Sequence, residues 1–270
     1  MNICVIIPAA GASRRFRESG AENVLAPRSK LDEDLGGRPV LQRTVELFTK
    51  DHRVSSVIVA GPHDDNAFAE FKLRHADRLT MLGASLVRGG KDHRYETVAA
   101  ALAHVPEDAT HVAVHDAARP AASPELIDRV FETASRHDAV IPAIPVPDTV
   151  KRVGDEVADD VGADPLAAIL GAGGGSKSKL HEVTETLDRA GLMLAQTPQV
   201  FAKALLARAY AQDDLTSTDD ASLVEKLGER VVTVEGDARN IKITTPADVP
   251  LVRAILGFRP QTERATHKKF

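Results

Sequence analysis

An alternation runs along most of this chain: short Val/Ile-rich runs separated by longer amphipathic stretches. "ICVIIP" reads as a buried strand, and "PVLQRTVELFTK" as a helix with apolar positions at helical spacing. "VSSVIVAG" is a second strand and "TVAAALAHV" a second helix. "HVAVHDAARP" is a strand with a polar tip. It leads into the helix "SPELIDRVFETASRH", with Ser at the N-cap and Pro at the first helical position. "AVIPAIPV" is the next strand. Such a series predicts an α/β domain on a mostly parallel sheet, because parallel neighbours need a crossover between them. Ligands of such sheets sit at the carboxyl ends of the strands, so polar residues just after each strand are the candidates for function.

The pattern breaks between about Val146 and Val200. "VPDTVKRV" and "KLHEVTETLDRAGLMLAQTPQVF" read as two extended arms of a hairpin. Between them, "GDEVADDVGADPLAAILGAGGGSKS" is acidic, then Gly/Ser-rich, and reads as a mobile loop over about 162–178. The stretch is an excursion from the sheet, not a second domain. Residues 1–258 are therefore expected to form one domain carrying a β-arm over about 146–200. A helix, the strand "RVVTVEG" and the helix "PADVPLVRAIL", with Pro246 at its first position, follow the arm. The tail 259–270, "RPQTERATHKKF" from Arg259, is polar and expected to fray.

At 270 residues the chain can bury a substantial core. Its net charge of −5 lacks the basic field of a nucleic-acid binder, and 4% aromatics with no Trp leave little for base stacking. Any anion must be held by a local cluster of Arg and Lys. Cys4 is the single cysteine, lies in an apolar run and suits a reducing cytoplasm. No basic stretch precedes the first apolar run, which is too short for a signal sequence or a membrane span. A cytoplasmic protein with no membrane or nucleic-acid partner is expected.

Several loops bear chemistry-capable residues. In "PAAGASRRF", Gly11 lets the backbone turn so that N–H groups face one concavity, and Arg14 and Arg15 add charge for phosphates. The loop is neither a Walker A nor a G-x-G-x-x-G motif, and alone it is equally a glycine turn with two solvated arginines. Lys30 lies in "APRSKLDEDLGGRPVL", where Arg17–Leu35 reads as a long ordered loop; by itself it is a solvated lysine. In "VRGGKDHRYETV", Gly89 and Gly90 allow close approach of a flat base whose edge the Thr97 hydroxyl can bond, or Thr97 is an ordinary helix cap. Asp116 and Arg119 in "VHDAARP" suit a Mg²⁺ or ribose ligand beside phosphates, or an ion pair capping the next helix. "DARNIKITTPADV" puts Lys242 in a strand-like alternation with Asn240 on its face, and an inward lysine there needs an anion.

Taken in order, "PAAGASRRF", Lys30, "GGKDHRYETV", "VHDAARP", "PDTVKR", "TLDRAGL", "AQTPQVF", "TDDASLVE" and "NIKITTPAD" resemble the 2-C-methyl-D-erythritol 4-phosphate cytidylyltransferases of the non-mevalonate isoprenoid pathway. The similarity reaches to about Ile255. It implies a Rossmann-like nucleotidyltransferase domain whose β-arm embraces a second subunit, hence a homodimer. The implied reaction is Mg²⁺-dependent attack of a sugar-alcohol phosphate on the α-phosphorus of CTP, with loss of pyrophosphate. The same resemblance implies that Arg15 and Lys30 stabilise the triphosphate and that Lys242 bridges the two reacting phosphates. Ala9, Ala10, Gly11, Ala12, Gly90 and Thr97, with Asp116 and Ala117, are the implied CTP-binding residues. Asp116, as metal ligand, and Arg119 hold the acceptor with Thr218, Lys242 and Thr244. Thr149 and Arg189 complete that pocket from the neighbouring arm, Arg189 counting among the catalytic cations.

The chemistry suits these residues, since transfer onto an already anionic phosphate needs positioning and electrostatics more than a base. The chain departs from the family pattern at Ser13, where Gly is usual, at Thr97, where Ser is usual, and at Arg239, where an acid is common. "GGKDHR" carries one extra residue, Lys151–Arg189 is longer than usual, and the acids of "RSKLDED" lie close enough in sequence to pair with Lys30. A ribitol 5-phosphate enzyme with the same CTP loops, and a non-catalytic nucleotide-binding relative, are the competing possibilities.

Overall fold

The structure, a computed structural model, describes residues 1–11, 13–19, 29–157 and 179–258. Ala12, the Gly-rich stretch 162–178, part of the loop before Lys30 and the tail 259–270 lie outside the described residues. The chain divides into two compact units, one of Met1–Ile144 with Ala195–Phe270, the other Pro145–Leu194.

The elements up to the arm are β1 (Ile3–Pro8), α1 (Arg14–Glu18), a 3₁₀ turn (Lys30–Asp32), α2 (Val40–Glu46), β2 (Val54–Gly61), α3 (Asp65–Met81), β3 (Ala84–Arg88), α4 (Arg94–Leu102), β4 (His111–Val114), α5 (Pro124–Ala134) and β5 (Ala139–Pro145). Then come β6 (Val150–Val157), β7 (Leu180–Leu187), β8 (Met193–Ala195), β9 (Gln199–Ala202), α6 (Lys203–Tyr210), α7 (Asp220–Lys226), β10 (Val232–Glu235) and α8 (Asp248–Ile255).

In the first unit seven strands lie in the order β10-β5-β9-β4-β1-β2-β3. The pairs are parallel except at β9, which runs antiparallel to both β4 and β5. The sheet is thus mostly parallel with helices on both faces, the expected α/β class. β1 shows why its run is apolar throughout: Ile3, Val5 and Ile7 enter one core cluster, Cys4 and Ile6 the other. Phe131 of α5 and Val252 of α8 pack into the first cluster; Val98 of α4, Leu206 of α6 and Leu223 of α7 pack into the second.

Local signals in the sequence explain several helix starts. The Ser123 side chain accepts from the N–H of Leu126 and Pro124 opens α5, as expected. α4 begins at Arg94 rather than Thr97, because Glu96 accepts from the N–H groups of Asp92 and His93 and extends the helix backward. α8 begins at Asp248, two residues after Pro246. The Asp248 carboxylate collects the N–H groups of Thr244 and Thr245 and so sets the turn.

Three features depart from the expected pattern. β3 and the 17-residue α3 stand outside the elements expected from sequence; α3 buries only Phe68, Phe71, His75 and Leu79. Gln199–Ala202, grouped with the arm by sequence, is the interior strand β9, because its pairing partners β4 and β5 are remote in sequence. Lys242 lies outside any strand; the backbone there is tied to the sheet end by Ile243 N–H donating to Ala118 O.

In the second unit, β6 and β7 pair antiparallel as a two-stranded ribbon. Val153, Val157, Leu180 and Val183 on it are exposed, Val183 by 54%. Among the described residues, no helix is long and apolar enough to cross a membrane.

Candidate active site

The strand order locates the site. The connection from β1 runs to β2 on one side, while the connection from β3 crosses over to β4 on the other. The crevice between β1 and β4 is therefore the switch point, where an open α/β sheet receives its ligand. A cleft of about 500 Å³ opens there, floored by Pro8–Gly11 at the end of β1 and Asp116–Ala118 after β4, and walled by Gly90–Arg94 leading into α4. Arg14, Arg17, Lys30, Lys91, Arg94 and Lys242 line it against two carboxylates, Asp92 and Asp116. A chain of net charge −5 thus gathers six of its Lys and Arg residues around one cavity.

Asp116 is the centre of the charge network. Its Oδ2 lies 2.9 Å from Lys242 Nζ and 3.3 Å from Arg119 Nε, and its Oδ1 lies 3.4 Å from Arg94 Nε. Burial works against the Asp116 charge, but Lys242, Arg94 and Arg119 override it and hold the carboxyl well below the usual range. Its backbone N–H donates to Thr197 Oγ1, 3.1 Å away. Beneath it, buried His115 contacts Thr197 Oγ1 through Nδ1 at 3.2 Å and Arg119 O through Nε2 at 3.0 Å. Burial pushes His115 down to about 4, so it is a neutral brace under the strand tip. Arg119 also donates to Asn240 O at 2.6 Å, which ties the Lys242 segment to the Asp116 loop.

Lys30 donates to Ile243 O at 2.9 Å, next to Lys242. Burial, then the Lys242 charge, lowers Lys30 to about 8 despite the pull of Asp116. The nearby acids do not pair with it. Asp32 turns to His75 Nε2 at 2.8 Å and to Arg74, both on α3. Lys30 is therefore left facing the cleft.

The glycine wall is tight. A Cβ on Gly90 would stand 2.1 Å from Glu96 Cβ and 2.7 Å from Thr97 N. Gly90 N–H donates to Thr97 Oγ1 at 3.2 Å, and that hydroxyl donates to His93 O at 3.3 Å. Thr97 thus spends its hydroxyl on holding the wall in place. Gly11 is not where the first loop turns: a Cβ there would meet none of the described residues within 4 Å, while Ser13 takes φ 53°. The left-handed residue is the one that departs from the family's glycine.

Of the residues expected to form the site, Ala9, Ala10, Gly11, Lys30, Gly90, Thr97, Asp116, Ala117 and Lys242 line the cleft, and Arg119 abuts it through Asp116. Arg15 is exposed on α1 and outside the lining, though its charge is felt at Lys30. Thr218 is exposed ahead of α7, and Thr244 donates its hydroxyl to Asp248 Oδ2 at 2.9 Å; neither lines the cleft. Thr149 and Arg189 belong to the second unit, where both are exposed and Arg189 donates to Pro147 O. Arg239 pairs with Asp237. Sequence reasoning missed Arg17, Lys91 and Arg94 as cleft cations; Lys91 and Arg94 stood in "GGKDHR" but carried no signal beyond their charge.

The cleft can hold a polyphosphate against its cations, and comparison with known proteins points to the same chemistry. The family model for 2-C-methyl-D-erythritol 4-phosphate cytidylyltransferase matches residues 3–169 and 176–258. The chain is 38% identical over 255 residues to the enzyme of that name from Rhodococcus jostii strain RHA1, covering 94% of this chain and 95% of the relative. It is 33% identical to the one from Syntrophus aciditrophicus strain SB, with 94% and 95% covered. It resembles the crystal structure of the Thermus thermophilus enzyme with a TM-score of 0.65 at 30% identity, covering 94% of this chain and 98% of that one. This is the family that the ordered motifs pointed to, and the chain belongs to the 2-C-methyl-D-erythritol 4-phosphate cytidylyltransferases.

Proposed function

We propose that this protein transfers the cytidylyl group of CTP to 2-C-methyl-D-erythritol 4-phosphate, releasing pyrophosphate, in isoprenoid precursor synthesis. The observation that carries the assignment is that Lys30, bonded to Ile243 O, and Lys242, bonded to Asp116, line the same cation-rich cleft past the end of β4. A phosphate oxygen of the acceptor attacks the α-phosphorus of CTP. A P–O bond forms as the bond to the β-phosphate oxygen breaks, and pyrophosphate leaves with the electron pair. No proton need move, because the nucleophile is already an anion.

The cations that the family resemblance singles out have natural roles in that displacement. Lys30 and Arg15 stabilise charge on the triphosphate, and Lys242 exchanges its Asp116 contact for the attacking phosphate and the α-phosphate. Such preorganised charge acts where charge builds up. Ala9–Gly11, Gly90 and Ala117 form the narrow walls for the cytidine, with Thr97 bracing Gly90. Arg119, with Thr218 and Thr244, belongs to the acceptor end. By resemblance, Thr149 and Arg189 of a partner's arm complete the acceptor pocket of a homodimer. The exposed apolar side chains on the arm ribbon suit such a contact.

Asp116 fits a hard divalent cation such as Mg²⁺. It is one ionised carboxylate beside a cation-lined cleft, and Mg²⁺ is commonly held by one carboxylate together with substrate phosphates. Bound there, Mg²⁺ would neutralise triphosphate charge and polarise the α-phosphorus. The lone buried Cys4 and the charge balance suit a cytoplasmic enzyme.

Pyrophosphate release with CTP and Mg²⁺ tests the assignment, with methylerythritol 4-phosphate and ribitol 5-phosphate offered side by side. Release with the first alone is expected. Release only with ribitol 5-phosphate would move the protein to another polyol phosphate, and silence with both would point to a non-catalytic nucleotide binder.

A further inference from the structure

Asp220, the first residue of α7, is a fully buried acid that the proposed reaction does not use. Tyr210, the last residue of α6, donates its hydroxyl to Asp220 Oδ1 at 2.5 Å. The other oxygen, Oδ2, faces Arg94 at 2.8 Å and has no further polar partner among the described residues. A carboxylate removed from water needs its counterion, so Asp220 dictates where the Arg94 guanidinium lies. The start of α7 is itself pinned to β9: Gln199 donates to Asp219 Oδ2 at 2.8 Å and accepts from Ala221 N–H at 3.1 Å. The anchor is thus tied to the sheet.

The other side of Arg94 reaches the cleft, with Nε 3.4 Å from Asp116 Oδ1. The two oxygens of Asp116 therefore meet different cations: Oδ1 faces Arg94, and Oδ2 faces Lys242 and Arg119. We propose that Arg94 is a positioning residue, anchored by Asp220 and Tyr210, that keeps the Asp116 carboxylate oriented when Lys242 turns to the substrate phosphates. Arg119 alone would leave Oδ1 free to rotate away, and a metal ion shared between Asp116 and the triphosphate would lose its protein ligand. Asp220 and Tyr210, which do not line the cleft, would then govern the metal-dependent part of nucleotide binding. This inference rests on the assignment of the cleft to CTP.

Calorimetric titration of Asp220→Asn, Tyr210→Phe and the wild type with CTP, in excess Mg²⁺ and separately in EDTA, tests it, with melting temperature as the check on folding. Asp220→Asn is expected to bind CTP as the wild type does in EDTA, and about tenfold or more weaker in Mg²⁺, a loss of about 1.4 kcal/mol or more. Tyr210→Phe keeps the ion pair and is expected to show the same metal-confined loss, a few-fold in size. If Asp220→Asn does not fold, Tyr210→Phe decides alone. Wild-type affinity in both media, or equal weakening with and without Mg²⁺, would overturn the positioning role while leaving the CTP site intact. A wild type that binds no CTP at all would overturn the site assignment and this inference with it.

Discussion

Lys242 Nζ stands 2.9 Å from Asp116 Oδ2, although one residue follows a strand of the sheet's centre and the other lies in a loop far along the chain. The contact holds a cation at the mouth of the crevice between β1 and β4 with no substrate needed to place it. Replacing Lys242 with Ala should cost on the order of 10²–10³-fold in kcat, the scale for removing one preorganised charge donor from a transition state. CTP affinity should stay largely intact, since Arg14, Arg17 and Lys91 still line the cleft. Steady-state pyrophosphate release beside calorimetric CTP binding separates the two effects, and a loss confined to binding would count against a role in the chemical step.

Lys30 gives the site a pH dependence. Burial and the neighbouring Lys242 lower it to about 8, so its charge is lost as pH rises through 8. CTP affinity should weaken over that range, because the triphosphate then meets a neutral amine. Bound triphosphate favours the ammonium, so binding near pH 8 should take up a proton. Calorimetry in buffers of different ionisation enthalpy reads that uptake, and Lys30→Met should remove it. The stability effect has the opposite sign. The unfolded lysine titrates near 10.5, so between about 8 and 10.5 the unfolded chain binds more protons and the free energy of unfolding rises with pH.

Gly90→Ala tests the tight wall. The new methyl would lie 2.1 Å from Glu96 Cβ and 2.5 Å from Glu96 C, within the first turn of α4. The backbone must shift, at a cost of about 1–3 kcal/mol, typical of forcing extra atoms into a packed site. Thermal denaturation should show the loss, and CTP binding should fall because Thr97 and Gly90 part company. Gly11→Ala meets no atom of the described residues within 4 Å and should leave stability unchanged, which makes it the stability control.

The arm predicts an assembly. Val183 and Val153 are 54% and 51% exposed on a ribbon with no described core of its own. A Val153→Asp/Val183→Asp double variant should be monomeric by light scattering where the wild type is dimeric, with the melting of the first unit's helices little changed. A wild type that is monomeric at every concentration tried would remove the basis for a shared acceptor pocket.

Much of the sheet is legible in the sequence because its apolar runs are continuous and its crossover helices carry helical periodicity. β1, β2, β4, β5, α2 and α5 all read that way. α3 does not, since its buried face is four residues, one of them His75, set among charges. β9 is not separable from the arm by sequence, because a four-residue strand carries no sign of which distant strands it joins.

The sequence by itself determined the α/β class, the family, and which loops would gather at the strand ends. Strand-forming runs, crossover helices and ordered motifs are local properties of the chain. Only the tertiary structure decided the electrostatics of the cleft. It turned Asp32 toward His75 and away from Lys30, clamped Asp116 among three cations, and put Arg94 between a cleft carboxylate and a buried one. Those outcomes depend on distance and burial between segments remote in the chain, because an ion pair is set by where two charges meet and how much water is left between them.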